Sequence, residues 1–128
     1  MATITSHTLN SVDGTHAGGI PVTLTVIESG NTLFSTHTDA AGRLQEQVDT
    51  SLLNAEHRYE LTFYPAQYWA DTGVKAMCCI DEIVLRFKIP DPDARYHMPV
   101  ILSPDGYSSW ASVPVSYTHL TLPTIYSV

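Results

Sequence analysis

The stretch that decides the fold is Ile20-Pro21-Val22-Thr23-Leu24-Thr25-Val26, in which apolar and polar side chains alternate. A period of two places the apolar side chains on one face of a β-strand and the threonines on the other. Residues 28–31 then offer a turn, and residues 33–38 return as the second limb of a predicted hairpin. The stretch therefore predicts paired strands with one buried face.

The same period recurs along the rest of the chain. Further strands are predicted at 59–63, 83–88, 96–102 and 106–113, and turns at 39–42, 90–93 and 103–106. A short helix is predicted between Pro65, where a helix can begin, and Gly73, where it can end. Closely spaced strands with at most one helix indicate an all-β fold, either an antiparallel β-sandwich or a barrel.

Composition narrows the classes of function. The 128 residues are 44% hydrophobic and 15% charged, as expected for one folded domain. A net charge of −7 argues against nucleic acid as a partner. The chain has no run of roughly twenty apolar residues and no recognisable signal region, so we expect a soluble, cytoplasmic protein without a membrane partner. Cys78 and Cys79 are adjacent, which fits neither a disulfide framework nor a zinc pair.

The predicted strand at 96–102 carries a candidate functional residue. Parity assigns four side chains to the core face, Tyr96, Met98, Val100 and Leu102, and three to the opposite face, His97, Pro99 and Ile101. Apolar side chains beside a histidine on the outer face predict a subunit interface or a cleft. Proline lacks an N–H, which predicts a sheet edge or a bulge at this point. The same alternation is equally compatible with a structural role, in which His97 merely donates a hydrogen bond to a loop carbonyl.

Several separated motifs carry a resemblance to a known family. They are SHTLN at 6–10, GIPV at 19–22, TDAAGR at 38–43, YELTF at 59–63 and YHMPVILSP at 96–104. Together they resemble the transthyretin-like family, and within it the 5-hydroxyisourate hydrolases of urate breakdown in purine metabolism. The resemblance implies a transthyretin-like antiparallel β-sandwich with two four-stranded sheets and one short helix. It also implies a homotetramer whose active sites lie at a subunit interface.

Three residues match the catalytic positions of that family: His7, Arg43 and His97. The resemblance implies that the two histidines deprotonate the water that attacks a carbonyl of 5-hydroxyisourate, a cyclic amide, and so open its ring. Arg43 would bind the substrate and the oxyanion, and His7 would also contact the substrate. No metal or cofactor is required. The other histidines match no catalytic position and are expected at the surface: His16, His37, His57 and His119.

The C-terminal segment departs from the family pattern. The hydrolases end in Tyr-Arg-Gly-Ser, whereas the matching positions here read Trp110-Ala111-Ser112-Val113. Trp110 is a predicted substrate-binding residue because an indole can stack on a flat heterocycle. We therefore predict a transthyretin-like hydrolase domain at 1–113. Residues 114–128 would be an atypical C-terminal extension, and they resemble translated adapter sequence, which makes them a candidate foreign segment.

Three alternatives to an active hydrolase stay open. The first is a hydrolase weakened by the altered tail, and the second is a small-molecule carrier like transthyretin. The third is a purely structural sandwich module, which predicts neither activity nor a cleft that contains the three residues. His7 and His97 argue against the carrier, since transthyretin lacks them at the matching positions. Turnover of the substrate distinguishes a hydrolase from a carrier, whereas binding alone does not.

Overall fold

Nine strands and one α-helix make up the part of the chain that the computed structural model describes, residues 1–74 and 78–113. The strands are β1 (Ala2–Asn10), β2 (Pro21–Val26), β3 (Thr32–His37), β4 (Arg43–Val48), β5 (Tyr59–Phe63), β6 (Ile83–Phe87), β7 (Arg95–His97), β8 (Val100–Ser103) and β9 (Gly106–Ser109). The helix α1 (Ala66–Thr72) lies between β5 and β6. The predicted extension at 114–128 lies outside the described residues.

The strands form two sheets. One sheet has the order β3-β2-β5-β6, and all of its neighbours are antiparallel. The other has the order β4-β1-β8-β9, with β7 also paired to β1. Because β7 and β8 keep the same register along β1, they are two halves of one strand position. The predicted transthyretin-like sandwich is confirmed, although β1 runs parallel to β7 and β8 instead of antiparallel.

The alternating side chains supply the interior between the sheets. Val22 and Leu24 are fully buried, whereas the alternating Thr23 and Thr25 are half-buried. Other large side chains that are fully buried include Ile4, Tyr59, Leu61, Phe63, Trp69, Ile83 and Leu102. Burying one such aliphatic or phenyl group stabilises a fold by about 1.5–3 kcal/mol. Packing of the two inner faces is therefore the main favourable contribution.

The helix forms where its capping residues predict it. Pro65 precedes the first turn, and Gly73 ends the helix with a left-handed φ of 72°. The backbone N–H of Gly73 donates to the carbonyl of Ala70. Trp69 is buried and anchors α1 on the sheets. No helix within 1–74 and 78–113 is long and apolar enough to cross a membrane.

Pro99 separates β7 from β8, and its position corrects the prediction of a sheet edge or bulge. The strand lies between β1 and β9, and its register along β1 is unbroken. On the other side, Val100 pairs with Ser109 and His97 bridges to Ser112, in one constant register. Pro99 lies between these two pairs and has no N–H to donate to the neighbouring strand. For this reason β9 ends at Ser109, whereas the sequence predicted a strand as far as residue 113. The constant register places Trp110 opposite Pro99.

Candidate active site

The outer face of the β4-β1-β8-β9 sheet carries the three candidate catalytic residues. His7 lies on β1, Arg43 begins β4 and His97 ends β7. The register places His7 opposite Arg43, and it places Thr5 opposite His97. Alternate residues of β1, such as Ile4 and Ser6, are buried beneath this face. Strand pairing therefore brings together three residues that are remote in sequence.

A polar cavity of about 250 Å³ opens on this face. It is lined by Thr5, Ser6, Asp39, Arg43, Leu44, Gln45, Arg95 and His97. His7 is next to this lining because it pairs with Arg43. Imidazole groups can perform acid–base chemistry, and guanidinium groups can bind anions. This cavity is therefore the candidate active site.

Trp110 lies apart from that cavity in the single chain. It is 52% exposed and lines a second cavity of about 250 Å³ along β6 and β9. The remaining residues of that lining are Val84, Leu85, Arg86, Phe87, Met98, Ser109 and Ala111. The chain thus brings His7, Arg43 and His97 together but leaves Trp110 at the edge of the sheet.

A tight turn sets the position of Arg43. The Oδ1 atom of Asp39 accepts hydrogen bonds from the backbone N–H groups of Ala41 and Arg43, both at 2.9 Å. Gly42 has a φ of 76°, and a β-carbon there would collide with the carbonyl oxygen of Thr8. A glycine is therefore needed for the turn to pack against β1 and begin β4 at Arg43.

His97 is held through both its ring and its backbone. Its Nδ1 lies 2.8 Å from Oγ1 of Thr5, so the ring partner is a hydroxyl and not a loop carbonyl. Its backbone N–H donates to the carbonyl of Ser112 at 3.0 Å. Burial lowers the pKa of His97, and the nearby charges of Arg95, His7 and Arg43 lower it further. This imidazole is therefore neutral at neutral pH and can act as a base.

His7 is held by a carbonyl and by a second histidine. Its Nε2 lies 3.0 Å from the carbonyl oxygen of Ala41 and 2.9 Å from Nδ1 of His16. Burial lowers the pKa of His7, and Arg43 lowers it further, while the hydrogen bond with Ala41 opposes the shift. His16 lies at the surface as expected, but it contacts a candidate catalytic residue that the sequence did not connect to it.

The two arginines of the cavity have no carboxylate partner among the described residues. The ion pairs found there join Met1 to Asp93, Arg58 to Glu28 and Arg86 to Glu60. The carboxylate of Asp39 accepts backbone N–H groups instead. Arg43 and Arg95 can therefore donate to an anion or to a developing oxyanion.

Sequence reasoning missed Thr5, Arg95 and His16. Thr5 and Arg95 each lie two positions before a candidate histidine, and a period of two places them on its face of the strand. That signal was available. His16 lies in the loop after β1, where no periodicity applies. Within 1–74 and 78–113, no group of three or more His, Cys, Asp or Glu side chains is arranged to hold a metal ion.

The β-sandwich and its histidine–arginine site define the class of this protein. It is a transthyretin-fold protein with a polar site on the outer face of one sheet. The chain belongs to the HIUase/Transthyretin family, which it matches over residues 4–111. It is 32% identical to 5-hydroxyisourate hydrolase 2 of Rhizobium meliloti (strain 1021) over 111 residues, which cover 84% of this chain and 92% of that protein.

Two solved structures are similar to this fold. The Klebsiella pneumoniae 5-hydroxyisourate hydrolase superposes with a TM-score of 0.72 at 29% identity, covering 88% of this chain and 99% of that chain. Sea bream transthyretin in complex with thyroxine superposes with a TM-score of 0.75 at 22% identity, covering 89% and 98% of the two chains. The second likeness concerns the fold alone.

Proposed function

We propose that this protein is a hydrolase that opens the ring of 5-hydroxyisourate in purine breakdown. The observation that carries the proposal is the placement of His7, Arg43 and His97 on one sheet face beside a polar cavity. Hydrolysis of a cyclic amide needs a base for water, a donor for the oxyanion and an acid for the leaving nitrogen. These three side chains supply all of those groups.

His97 is the proposed general base. The hydroxyl of Thr5 donates weakly to the carbonyl of Tyr96 at 3.5 Å, which leaves its oxygen free to accept the Nδ1 proton of His97. The Nε2 atom is then the unprotonated nitrogen, and it takes a proton from the attacking water. Such a base accelerates proton transfer by about 10²–10⁴-fold. When the C–N bond breaks, the imidazolium returns this proton to the leaving nitrogen.

The proposed role of Arg43 is to bind the substrate, and that of His7 is to orient the attacking water. Arg43 donates hydrogen bonds to the substrate carbonyl and stabilises the oxyanion as the water oxygen adds to its carbon. His7 accepts a hydrogen bond from the same water through Nδ1 and so directs its lone pair at the carbonyl. Arg95 places a second guanidinium on the cavity wall, where it can bind the carboxylate that ring opening releases.

The experiment is the ultraviolet decay of freshly generated 5-hydroxyisourate with and without the protein. We expect His97→Asn to lower turnover by about two orders of magnitude or more, because asparagine cannot act as the base. His37→Asn, an exposed histidine on the other sheet, is the matched control and should retain activity. Equal turnover by His97→Asn would contradict the catalytic assignment, and binding without turnover would favour the carrier.

We further propose a homotetramer that closes the cavity. The support is the apolar surface on the same sheet face, where Leu9 and Ile101 are half-buried, together with the exposed Trp110 at the edge of that sheet. A subunit packed there would cover these side chains, and Trp110 would stack on the substrate in the assembly. Light scattering should give about four times the chain mass of 14.1 kDa. A fully active monomer would contradict this assembly.

A cytosolic location completes the proposal. Its support is that Cys78 and Cys79 are free thiols, as is usual in a reducing compartment. Fractionation of the source cells, followed by detection of the protein in each fraction, tests it. Recovery outside the cytosol would contradict it.

A further inference from the structure

The contact between His7 and His16 has no part in the mechanism above. The two rings stack with centroids 5.0 Å apart and planes inclined by 30°. Nε2 of His7 lies 2.9 Å from Nδ1 of His16, which is a hydrogen-bond distance. His16 lies in the loop after β1, nine residues from His7, and its ring is exposed. In a hydrogen bond between two ring nitrogens, only one nitrogen carries the proton, and the role of the contact depends on which one does.

The carbonyl of Ala41 decides that question. A carbonyl oxygen can only accept, and this one lies 3.0 Å from the same Nε2 atom. Nε2 of His7 must therefore carry the proton, which it shares between the Ala41 oxygen and Nδ1 of His16. It follows that Nδ1 of His16 is unprotonated. It also follows that Nδ1 of His7 is the nitrogen with the free lone pair.

We propose that His16 is a positioning residue, whose Nδ1 accepts a hydrogen bond from the Nε2–H of His7 and so holds Nδ1 of His7 as the nitrogen available to the reaction. The contact itself does not depend on the reaction, but its effect on turnover rests on the function proposed above. The arrangement follows the general pattern in which one side chain orients another that acts on the reacting atoms.

The test compares two substitutions at His16 with one control. His16→Asn keeps an acceptor oxygen near the position of Nδ1, whereas His16→Leu removes it. His37→Leu removes an exposed histidine from the other sheet and serves as the control. Long-range ¹H–¹⁵N NMR of histidine-labelled protein reports the tautomer and ring environment of His7 without any substrate. Hydrolysis of 5-hydroxyisourate gives kcat and KM for each variant.

We expect the wild-type His7 ring to show a protonated Nε2 and an unprotonated Nδ1. In His16→Leu its ¹⁵N signals should shift and kcat should fall by roughly two- to twelve-fold, the range for one hydrogen bond, with KM changed less than about twofold. His16→Asn should restore both readouts, and His37→Leu should change neither. Unchanged His7 signals and kcat in His16→Leu, or no recovery in His16→Asn, would overturn the proposal. Absence of turnover in the wild type would refute the proposed function, while the NMR comparison would still decide the role of His16.

Discussion

Replacing Thr5 by valine tests how the active-site base is held. Thr5 is only 3% exposed, and valine keeps its branched shape while removing the hydroxyl. The lost contact is the one between Oγ1 of Thr5 and Nδ1 of His97, at 2.8 Å. Without it, the His97 proton can move to Nε2, and that tautomer has no free lone pair to act on the water. The substitution therefore changes the fraction of correctly oriented base and leaves the base itself in place.

The expected magnitude follows from one hydrogen bond. A hydrogen bond of this kind contributes about 0.5–1.5 kcal/mol net, which converts to a roughly two- to twelve-fold lower kcat. KM should change by less than about twofold, because valine preserves the cavity wall that Thr5 provides. The effect should be far smaller than that of His97→Asn, which removes the base altogether.

The assay is steady-state hydrolysis of 5-hydroxyisourate, with Thr5→Ser as the matched control. Serine keeps the hydroxyl and loses only a methyl group, so it should retain most of the wild-type kcat. Long-range ¹H–¹⁵N NMR should show Nδ1 of His97 protonated in the wild type and in Thr5→Ser. A wild-type kcat in Thr5→Val, or a Thr5→Ser variant as slow as Thr5→Val, would refute the reasoning.

Three further outcomes are expected. Burial and neighbouring cations lower the pKa of His97. We therefore expect kcat/KM to stay constant from neutral pH to below about 6.5 and to fall only as the His97 ring takes a proton. A decrease in kcat/KM centred above pH 7 would be inconsistent with His97 as the base. Arg95→Gln removes the largest charge effect on the pKa of His97, so the acid limb should move to higher pH, and an unmoved limb would show that Arg95 does not act on this ring. Gly42→Ala should lower the free energy of unfolding in urea by at least about 1–2 kcal/mol, since alanine is strained at a φ of 76° and collides with Thr8; an unchanged unfolding midpoint would contradict the account of the turn.

Local signals predicted most of the individual elements. Alternation located β2, β5 and β6, and the proline and glycine at its two ends located α1. These predictions succeed because a period of two and a helix cap depend only on residues a few positions apart. β1 and β4 were missed by these signals. The buried face of β1 includes the polar residues Ser6, Thr8 and Asn10, and the sequence RLQEQV of β4 is mostly polar and gives a weak alternation.

Pairing between distant strands lay beyond local signals. The parallel alignment of β1 with β7 and β8 joins residues 92 positions apart, such as Thr5 and His97. The same pairing placed Pro99 inside the sheet, where a rule about isolated strands had predicted an edge or bulge. The proline is accommodated because its missing N–H faces the gap between Ser109 and Ser112.

The alternation in the sequence determined that the chain is all-β. Its motifs implied the sandwich and identified His7, Arg43 and His97 as candidates whose catalytic roles remain predictions. Only the tertiary structure decided that Thr5 and His16 contact those histidines and that Arg95 shares the cavity with His97. The physical reason is that periodicity assigns a side chain to a face of its strand. Strand order, register and loop path then decide which side chains from remote segments become neighbours on that face.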